Sequence, residues 1–331
     1  MKKIIGHVLA FALALLILFA LGFFLLPLAE TVNKTPVPGS ADWMKRLPDD
    51  FLLSDILIPG THDSATQYVQ LAWFSKCQDL SISEQLNAGC RYLDIRLGDA
   101  EKGSPYPRLT HGFTNCKSSL PGGALTLDTV LDDCYAFLKQ HPAETVLFAV
   151  KHEHGDSSVA AIQRVMQDLI SKQEQSWLLT DTIPTLGEAR GKLVLLRRWE
   201  DEAGLGKAAG IPFRWADQKD REDTSLAAAR EPQGGYTLWV QDRFQYDTDE
   251  KWAAFTEGLK TEREAGDVLL SFLSTNGSGA YGHPWKYARA LNEKLETLRR
   301  SDLNGWIIVD FATPKLAQKI YEANFPCCGL S

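Results

Sequence analysis

Short runs of aliphatic and β-branched residues recur from Trp43 onward: DILIP, RYLDIRL, RLTHG, TVLFAVKH, KLVLLRRW, TLWVQDRF, VLLSFLST and WIIVDF. Each has the length and composition of a buried strand. The stretches between most of them follow a different period. In LDTVLDDCYAFLKQH the apolar residues Leu127, Val130, Leu131, Cys134, Phe137 and Leu138 repeat at about 3.6, which predicts a helix with one buried face. SSVAAIQRVMQDLISK, DEKWAAFTEGLKTERE, WKYARALNEKLETLRR and TPKLAQKIYEANF read the same way, the first with Ser157 or Ser158 as its N-cap. Strand and helix alternating over about 280 residues predict a parallel sheet with crossover helices. Eight strand candidates predict a closed, TIM-like (β/α) barrel rather than an open sheet. Gly60, after DILIP, is read as the point where the chain turns out of the first strand. Between Glu200 and Gly235 the pattern weakens into a charged, alanine-rich segment, expected as an elaborated loop within a single domain.

The first 29 residues are built differently. Lys2 and Lys3 precede an apolar run from Val8 to Ala29, broken only by Gly22 and Pro27. At about 1.5 Å of rise per residue, that run crosses a hydrocarbon core of roughly 30 Å. Cleaved signal peptides usually carry an apolar region of about 7–15 residues, and the small-residue cleavage pattern is poor near Ala29. A retained signal anchor is therefore favoured, with the remainder exported; cleavage of residues 1–29 would instead release a secreted protein. ETVNKTPVPGSAD has the composition of an exposed tether. The expected organisation is an anchor or signal (1–29), a linker (30–42), a catalytic barrel domain (43–326) and a short tail (327–331).

Composition adds limits. The chain has 331 residues, 44% hydrophobic and 23% charged, ample for one large core. A net charge of −7 excludes a broad basic face for nucleic acid and argues against docking on anionic lipid by charge alone. Cys77, Cys90, Cys116, Cys134, Cys327 and Cys328 fit an oxidising compartment, match no zinc spacing and leave their pairing open. The terminal CGLS formally resembles a prenylation box, but an exported chain would not meet a cytosolic prenyltransferase.

Polar residues gather at the C-terminal ends of the strand candidates. His62 and Asp63 follow the first, Asp94 and Arg96 close the second, and His111 follows the third. Lys151 and Glu153 end the fourth, Arg197 and Arg198 the fifth, and Asp242 and Arg243 the sixth; Asn276 follows the seventh and Asp310 lies near the end of the eighth. Barrel enzymes assemble their sites at this one face. His62 and His111 can supply a base and an acid near neutral pH, and Asp63 and Asp310 can orient and charge-stabilise the imidazoles. Arg96, Lys151 and Arg198 suit a phosphoryl group. No G-x-S-x-G elbow or glycine-rich nucleotide loop is present, so acid–base attack on a phosphodiester is favoured over acyl or hydride transfer. In VKHEHGD, a zinc pair of His152 and His154 around Glu153 is weighed against a loop or supporting role, which is favoured.

Together LIPGTHDSAT, ISEQLNAGCRYLDIRLG, LTHGF, FLKQHPAETVLFAVKHE, GKLVLLRRW, LWVQDRF and GWIIVDF resemble, in order, the bacterial phosphatidylinositol-specific phospholipases C and their catalytic X domain. The resemblance covers nearly all of the chain from Trp43 to Phe325. It implies a distorted TIM-like barrel that cleaves phosphatidylinositol by attack of the inositol 2-hydroxyl, giving diacylglycerol and a cyclic inositol phosphate. By the same resemblance His62 is the base, held by Asp310, and His111 is the acid, assisted by Asp63. Arg96 neutralises the phosphoryl oxygens, while Lys151, Arg198 and Asp242 hold the inositol, with Asp94 beside them. After Asp242 the family commonly has a stacking tyrosine; Phe244 here keeps an aromatic face without the hydroxyl.

Eukaryotic relatives bind calcium with carboxylates around this face. Arg96 stands where an acidic ligand would be expected, and with Lys151 it opposes a bound cation, so a metal-independent enzyme without a cofactor is expected. The expected partner is phosphatidylinositol or a related inositol phospholipid at a membrane surface, with the protein acting as a monomer. Trp73, Phe74, Phe113 and Trp215 are candidates for lipid contact. The alternatives are a phosphodiesterase acting on a GPI anchor or another headgroup, and a catalytically silent lipid-binding barrel.

Overall fold

The apolar runs form a curled sheet in the computed structural model, which describes residues 2–29, 32–220, 226–231, 234–278 and 283–325. In chain order its strands are β1 (Ile58–Thr61), β2 (Tyr92–Ala100), β3 (Pro107–His111), β4 (Thr114–Asn115), β5 (Val146–His154) and β6 (Trp177–Leu178). They continue with β7 (Leu193–Arg197), β8 (Ile211–Pro212), β9 (Ala227–Glu231), β10 (Tyr236–Gln241), β11 (Val268–Phe272) and β12 (Trp306–Val309). The helices are α1 (Lys2–Ala29), α2 (Ala72–Ser75), α3 (Ile82–Ala88), α4 (Leu127–Gln140) and α5 (Val159–Lys172). The later ones are α6 (Leu186–Ala189), α7 (Thr248–Gly258), α8 (Pro284–Thr297) and α9 (Pro314–Tyr321).

From β6 through β7, β5, β2, β1, β12 and β11 to β10 every neighbour is parallel, and β9 runs antiparallel along β10. β8 lies beside the C-terminal half of β7. Among the described residues no ladder joins β8 to β9 or β10. The barrel is thus distorted, open along one seam where a closed one was expected. The Tyr236 hydroxyl spans that seam by donating to the Pro212 carbonyl.

A second difference concerns RLTHG. β3 runs antiparallel to β2, with Leu109 opposite Leu97, and turns back through β4. It is a hairpin on the barrel mouth and not a third barrel strand. Its composition is that of a barrel strand, but no crossover helix separates it from β2, and a parallel pairing requires one.

Strand alternation builds the core. Along β5, Leu147 and Ala149 join Ile58, Tyr92, Leu196 and Trp306 inside the barrel, while Val146, Phe148 and Val150 pack outward against α4 and α5. On the other side, Phe255, Leu291 and Leu316 from α7, α8 and α9 cover Ile307 and Val309. Gly60 lies within β1 and does not turn the chain. A Cβ there would come within 2.5 Å of Ile308 and 2.7 Å of Tyr92, so its hydrogen lets the flanking strands close. Ser158 caps α5, and α3, not expected from periodicity, starts with a Ser81–Glu84 capping box.

The segment read as a tether is exposed at residues 33–36 but pinned on either side of them. The Val32 amide donates to Asp79 at 2.8 Å, Ser40 meets the Tyr321 hydroxyl at 2.9 Å, and Trp43 is fully buried. Arg91 and Glu144 hold the segment in place. The buried Arg91 guanidinium donates to Glu144 at 2.8 and 3.0 Å and to the carbonyls of Ala41, Leu86 and Cys90, while Glu144 accepts the amides of Met44 and Lys45. In α1, Lys3–Leu21 has a mean hydropathy of 2.8 and is unburied against the rest of the chain, long and apolar enough to cross a membrane. Cys77, Cys90, Cys116 and Cys134 are buried free thiols; Cys327 and Cys328 lie outside the described residues.

Glu144→Ala leaves the Arg91 charge buried and two amides unpaired, so urea unfolding is expected to show a loss of about 3–5 kcal/mol. Lys34→Ala, which breaks an exposed pair with Glu84, is expected to change stability by less than about 1 kcal/mol.

Candidate active site

The inner faces of the parallel strands are apolar until their last turn toward the barrel mouth, where the same alternation brings in polar residues. Ile58–Gly60–His62, Tyr92–Asp94–Arg96, Ala149–Lys151–Glu153, Leu196–Arg198, Val240–Asp242 and Ile308–Asp310 each continue one inward row. The rows end in a cleft of about 880 Å³ lined by His62, Arg96, Lys151, Arg198, Asp242 and Asp310, with His111 and Phe244 also in its wall. Asp63 and Asp94 lie buried beneath these groups. Arg197 is one residue out of phase and is bonded instead to the carbonyls of Trp199 and Gly210, at 2.6 and 3.3 Å. Arg243 likewise turns to the Asp220 carbonyl at 2.9 Å.

His62 sits between two carboxylates. Its Nδ1 is 2.7 Å from Asp310 Oδ1 and its Nε2 is 3.2 Å from Asp63 Oδ2. The hairpin β3–β4 delivers His111, whose Nδ1 faces the Ser75 carbonyl at 2.8 Å and therefore carries the hydrogen. His111 Nε2 is then left 3.4 Å from the same Asp63 oxygen. Asp63 reaches both rings because its backbone is left-handed, with φ of 43°, a conformation that costs on the order of 1–3 kcal/mol and gathers at functional sites.

Arg96 anchors the carboxylates. Its guanidinium lies 3.1 Å from Asp63, 2.9 Å from Asp94 and 3.0 Å from Glu153. Glu153 also accepts the Gly112 amide at 2.7 Å, tying the His111 hairpin to β5. Burial works against both of these carboxylates being charged. Arg96 outweighs it, bringing Glu153 down to about 2 and holding Asp94 well below the usual carboxylate range. Asp63 goes the other way: burial raises its carboxyl despite Arg96 and the histidines. Burial alone would depress His62, but Asp310 and Asp63 together push it up to about 9.

The other side of the cleft is organised around Trp215, which lies in the long loop and had been weighed only for lipid contact. The Arg198 guanidinium lies 3.8 Å above its ring, and its Nε1 donates to Asp242 at 3.1 Å. Arg198 also reaches Asp94 at 3.4 Å, and Lys151 stands 3.5 Å from Glu153. Of the four aromatic residues weighed for lipid contact, Phe74 and Phe113 are exposed at the mouth, whereas Trp73 stacks on His283 and Trp215 is within the cleft. His152 pairs with Asp99 at 3.2 Å on the opposite strand face from Glu153, and His154 is exposed, so VKHEHGD builds no zinc pair. Motif reading gave Cys77 no role and Trp215 only lipid contact; it set Glu153 at a strand end with Lys151 and between the histidines of VKHEHGD, without a role of its own.

Two imidazoles joined through one carboxylate, beside a fixed guanidinium, can remove a proton at one side of a phosphoryl group and return one at the other. Residues 53–199 match the family model for phosphatidylinositol-specific phospholipase C, X domain. A 1-phosphatidylinositol phosphodiesterase of Staphylococcus aureus (strain Newman) is 29% identical over 305 residues, covering 86% of this chain and 91% of that protein. One from Listeria monocytogenes is 28% identical over 342 residues, covering 94% and 96%. A solved S. aureus phosphatidylinositol-specific phospholipase C, studied for membrane binding, matches with a TM-score of 0.70 and 25% identity over 87% of this chain and 98% of that one. The Listeria enzyme's structure matches in fold with a TM-score of 0.63 at 24% identity, over 87% and 99%. With the strand-end residues arranged in one cleft, residues 53–199 carry the X domain of the phosphatidylinositol-specific phospholipases C, and the likeness to the bacterial 1-phosphatidylinositol phosphodiesterases runs along most of the chain.

Proposed function

We propose that this protein is a phosphatidylinositol-specific phospholipase C that cleaves its lipid by attack of the inositol 2-hydroxyl on phosphorus. The observation that carries this reading is Asp63 bridging His62 and His111 beside Arg96. His62, in its neutral form, takes the hydroxyl proton, and Asp310 stabilises the resulting imidazolium. The new P–O bond closes the cyclic phosphate as the bond to the glycerol oxygen breaks. His111 and Asp63 together return a proton to that oxygen, releasing diacylglycerol. In the free protein Asp310 and Asp63 push His62 up to about 9, so its imidazole has to lose a proton before it can accept the one from the hydroxyl. Arg96 offsets charge growing on the phosphoryl oxygens.

Lys151, Arg198 and Asp242 hold the inositol ring, with Trp215 fixing the latter two and Phe244 offering an apolar face. Phe74 and Phe113 at the mouth meet the lipid surface, and α1 serves as signal or anchor for an exported domain. Every group named comes from one chain, so a monomer suffices. The reaction is metal-independent, because the guanidinium of Arg96 already occupies the space among Asp63, Asp94 and Glu153 where a calcium ion would draw its charge.

Three outcomes test the reading with the full-length chain in lipid–detergent micelles. Phosphorus NMR is expected to show a cyclic inositol phosphate, with turnover falling roughly 10²–10⁴-fold in His62→Ala and in His111→Ala; a near-normal rate in either variant overturns the acid–base assignment. Asp310→Asn removes a charge that raises His62 while its burial persists, so histidine NMR titration is expected to move its pKa down from about 9. Turnover is also expected to survive exhaustive chelation. Activity abolished by chelator and restored by calcium would show that Arg96 is misassigned.

A further inference from the structure

The proposed reaction leaves one reactive group in the cleft idle. Cys77 follows α2, is almost fully buried, and yet forms part of the cleft wall, with its Sγ 3.7 Å from His111 Nδ1. One ligand atom from each of His62, Asp63 and Cys77 lies within 4.8 Å of the other two. We propose that these three side chains capture a thiophilic divalent cation, typified by zinc, and that its capture shuts the enzyme off. The inhibitory half of the proposal rests on the function proposed above; the site itself does not.

The donor set decides which ion fits. Zinc bonds sulfur at about 2.3 Å and nitrogen or oxygen at about 2.0–2.2 Å, so its tetrahedral ligand atoms stand roughly 3.3–3.8 Å from one another. Side chains already within 4.8 Å need to close by no more than about 1–1.5 Å. A thiolate, an imidazole and a carboxylate with one position open is a zinc donor set, whereas calcium takes six or more oxygens at about 2.3–2.6 Å. The surroundings add a feature that zinc sites share. Asp310 holds His62 Nδ1 at 2.7 Å, which leaves Nε2 for the ion and sets up a carboxylate–histidine–metal relay.

Charge also permits the ion. As the ion binds, the Cys77 thiol proton and the proton on His62 Nε2 both leave to solvent, and the thiolate joins the Asp63 and Asp310 carboxylates in facing it. The opposing charge is Arg96, which is itself shared with Asp94 and Glu153. The captured ion occupies the His62 imidazole and the Asp63 carboxylate, so the proton transfers stop while the lipid site stays intact.

Cobalt(II) titration of the full-length chain in detergent reads the site without reference to activity. One ion per chain is expected, with a near-ultraviolet thiolate-to-cobalt charge-transfer band. The band should vanish in Cys77→Ala and persist in Cys134→Ala and in a Cys327→Ser/Cys328→Ser double variant. In the activity assay zinc is expected to inhibit reversibly with chelator, and Cys77→Ala should need at least tenfold more zinc for half inhibition of its own metal-free rate. A band or zinc sensitivity unchanged in Cys77→Ala overturns the proposal. Should that variant fail to fold, His62→Ala decides: the site requires its cobalt affinity to fall at least tenfold, and an unchanged affinity overturns it. A cobalt band in a protein without phosphodiesterase activity would refute the functional reading and leave the metal site. Zinc-insensitive activity without a band would do the reverse.

Discussion

A guanidinium buried among three carboxylates is the interaction on which this cleft depends. Asp63 follows β1, Asp94 lies within β2 and Glu153 is near the end of β5, and at these separations they could not all stay charged without Arg96 between them. The converse holds as well, since an unpaired buried guanidinium costs several kcal/mol. Through Asp63 the arrangement extends to His62 and His111, and through Asp94 to Arg198. Proton transfer and ring binding thus share one charge network. A change at its centre is felt on both sides of the cleft.

The barrel supplies the rigidity this network needs. Parallel register sets Arg96 opposite Lys151 and Gly60 between Tyr92 and Ile308, which fixes how far each inward row reaches. Below the mouth the rows are apolar and fully packed, so the polar groups have a dry floor on which their charges interact strongly. The seam between β8 and β10 is the exception to this regularity. Trp215 follows β8 by three residues, so an aromatic platform enters the cleft beside the place where the sheet fails to close.

Much of this was legible in the chain before folding. Apolar runs marked the strands, and the polar residue types at their ends indicated phosphodiester chemistry. Alternation alone separates Arg198 from Arg197: counted from Val194 and Leu196, only Arg198 is in phase with the barrel interior. The same count places Glu153 beside Lys151 and turns His152 away. The reading of RLTHG as a barrel strand was wrong in topology but right about His111, because a hairpin at the mouth delivers its last residue to the same rim. Gly60 was misread because a glycine required by close strand packing and one required by a turn look alike in a linear chain.

What the sequence by itself determined is therefore the local part: strand period, helix faces, caps, the apolar N-terminal helix, and the kinds of chemistry available at strand ends. These depend on neighbours within a few residues. Only the tertiary structure decided which strands pair, that the barrel stays open at one seam, and that Ser40–Lys45 are held by Arg91 and Glu144. It also decided that Asp63 serves two histidines, that Trp215 joins Arg198 to Asp242, and that Cys77 sits among them. Those juxtapositions bring together groups separated by tens to hundreds of positions along the chain. The distances that matter to charge and ligand geometry are a few ångströms, and closure of the sheet sets them.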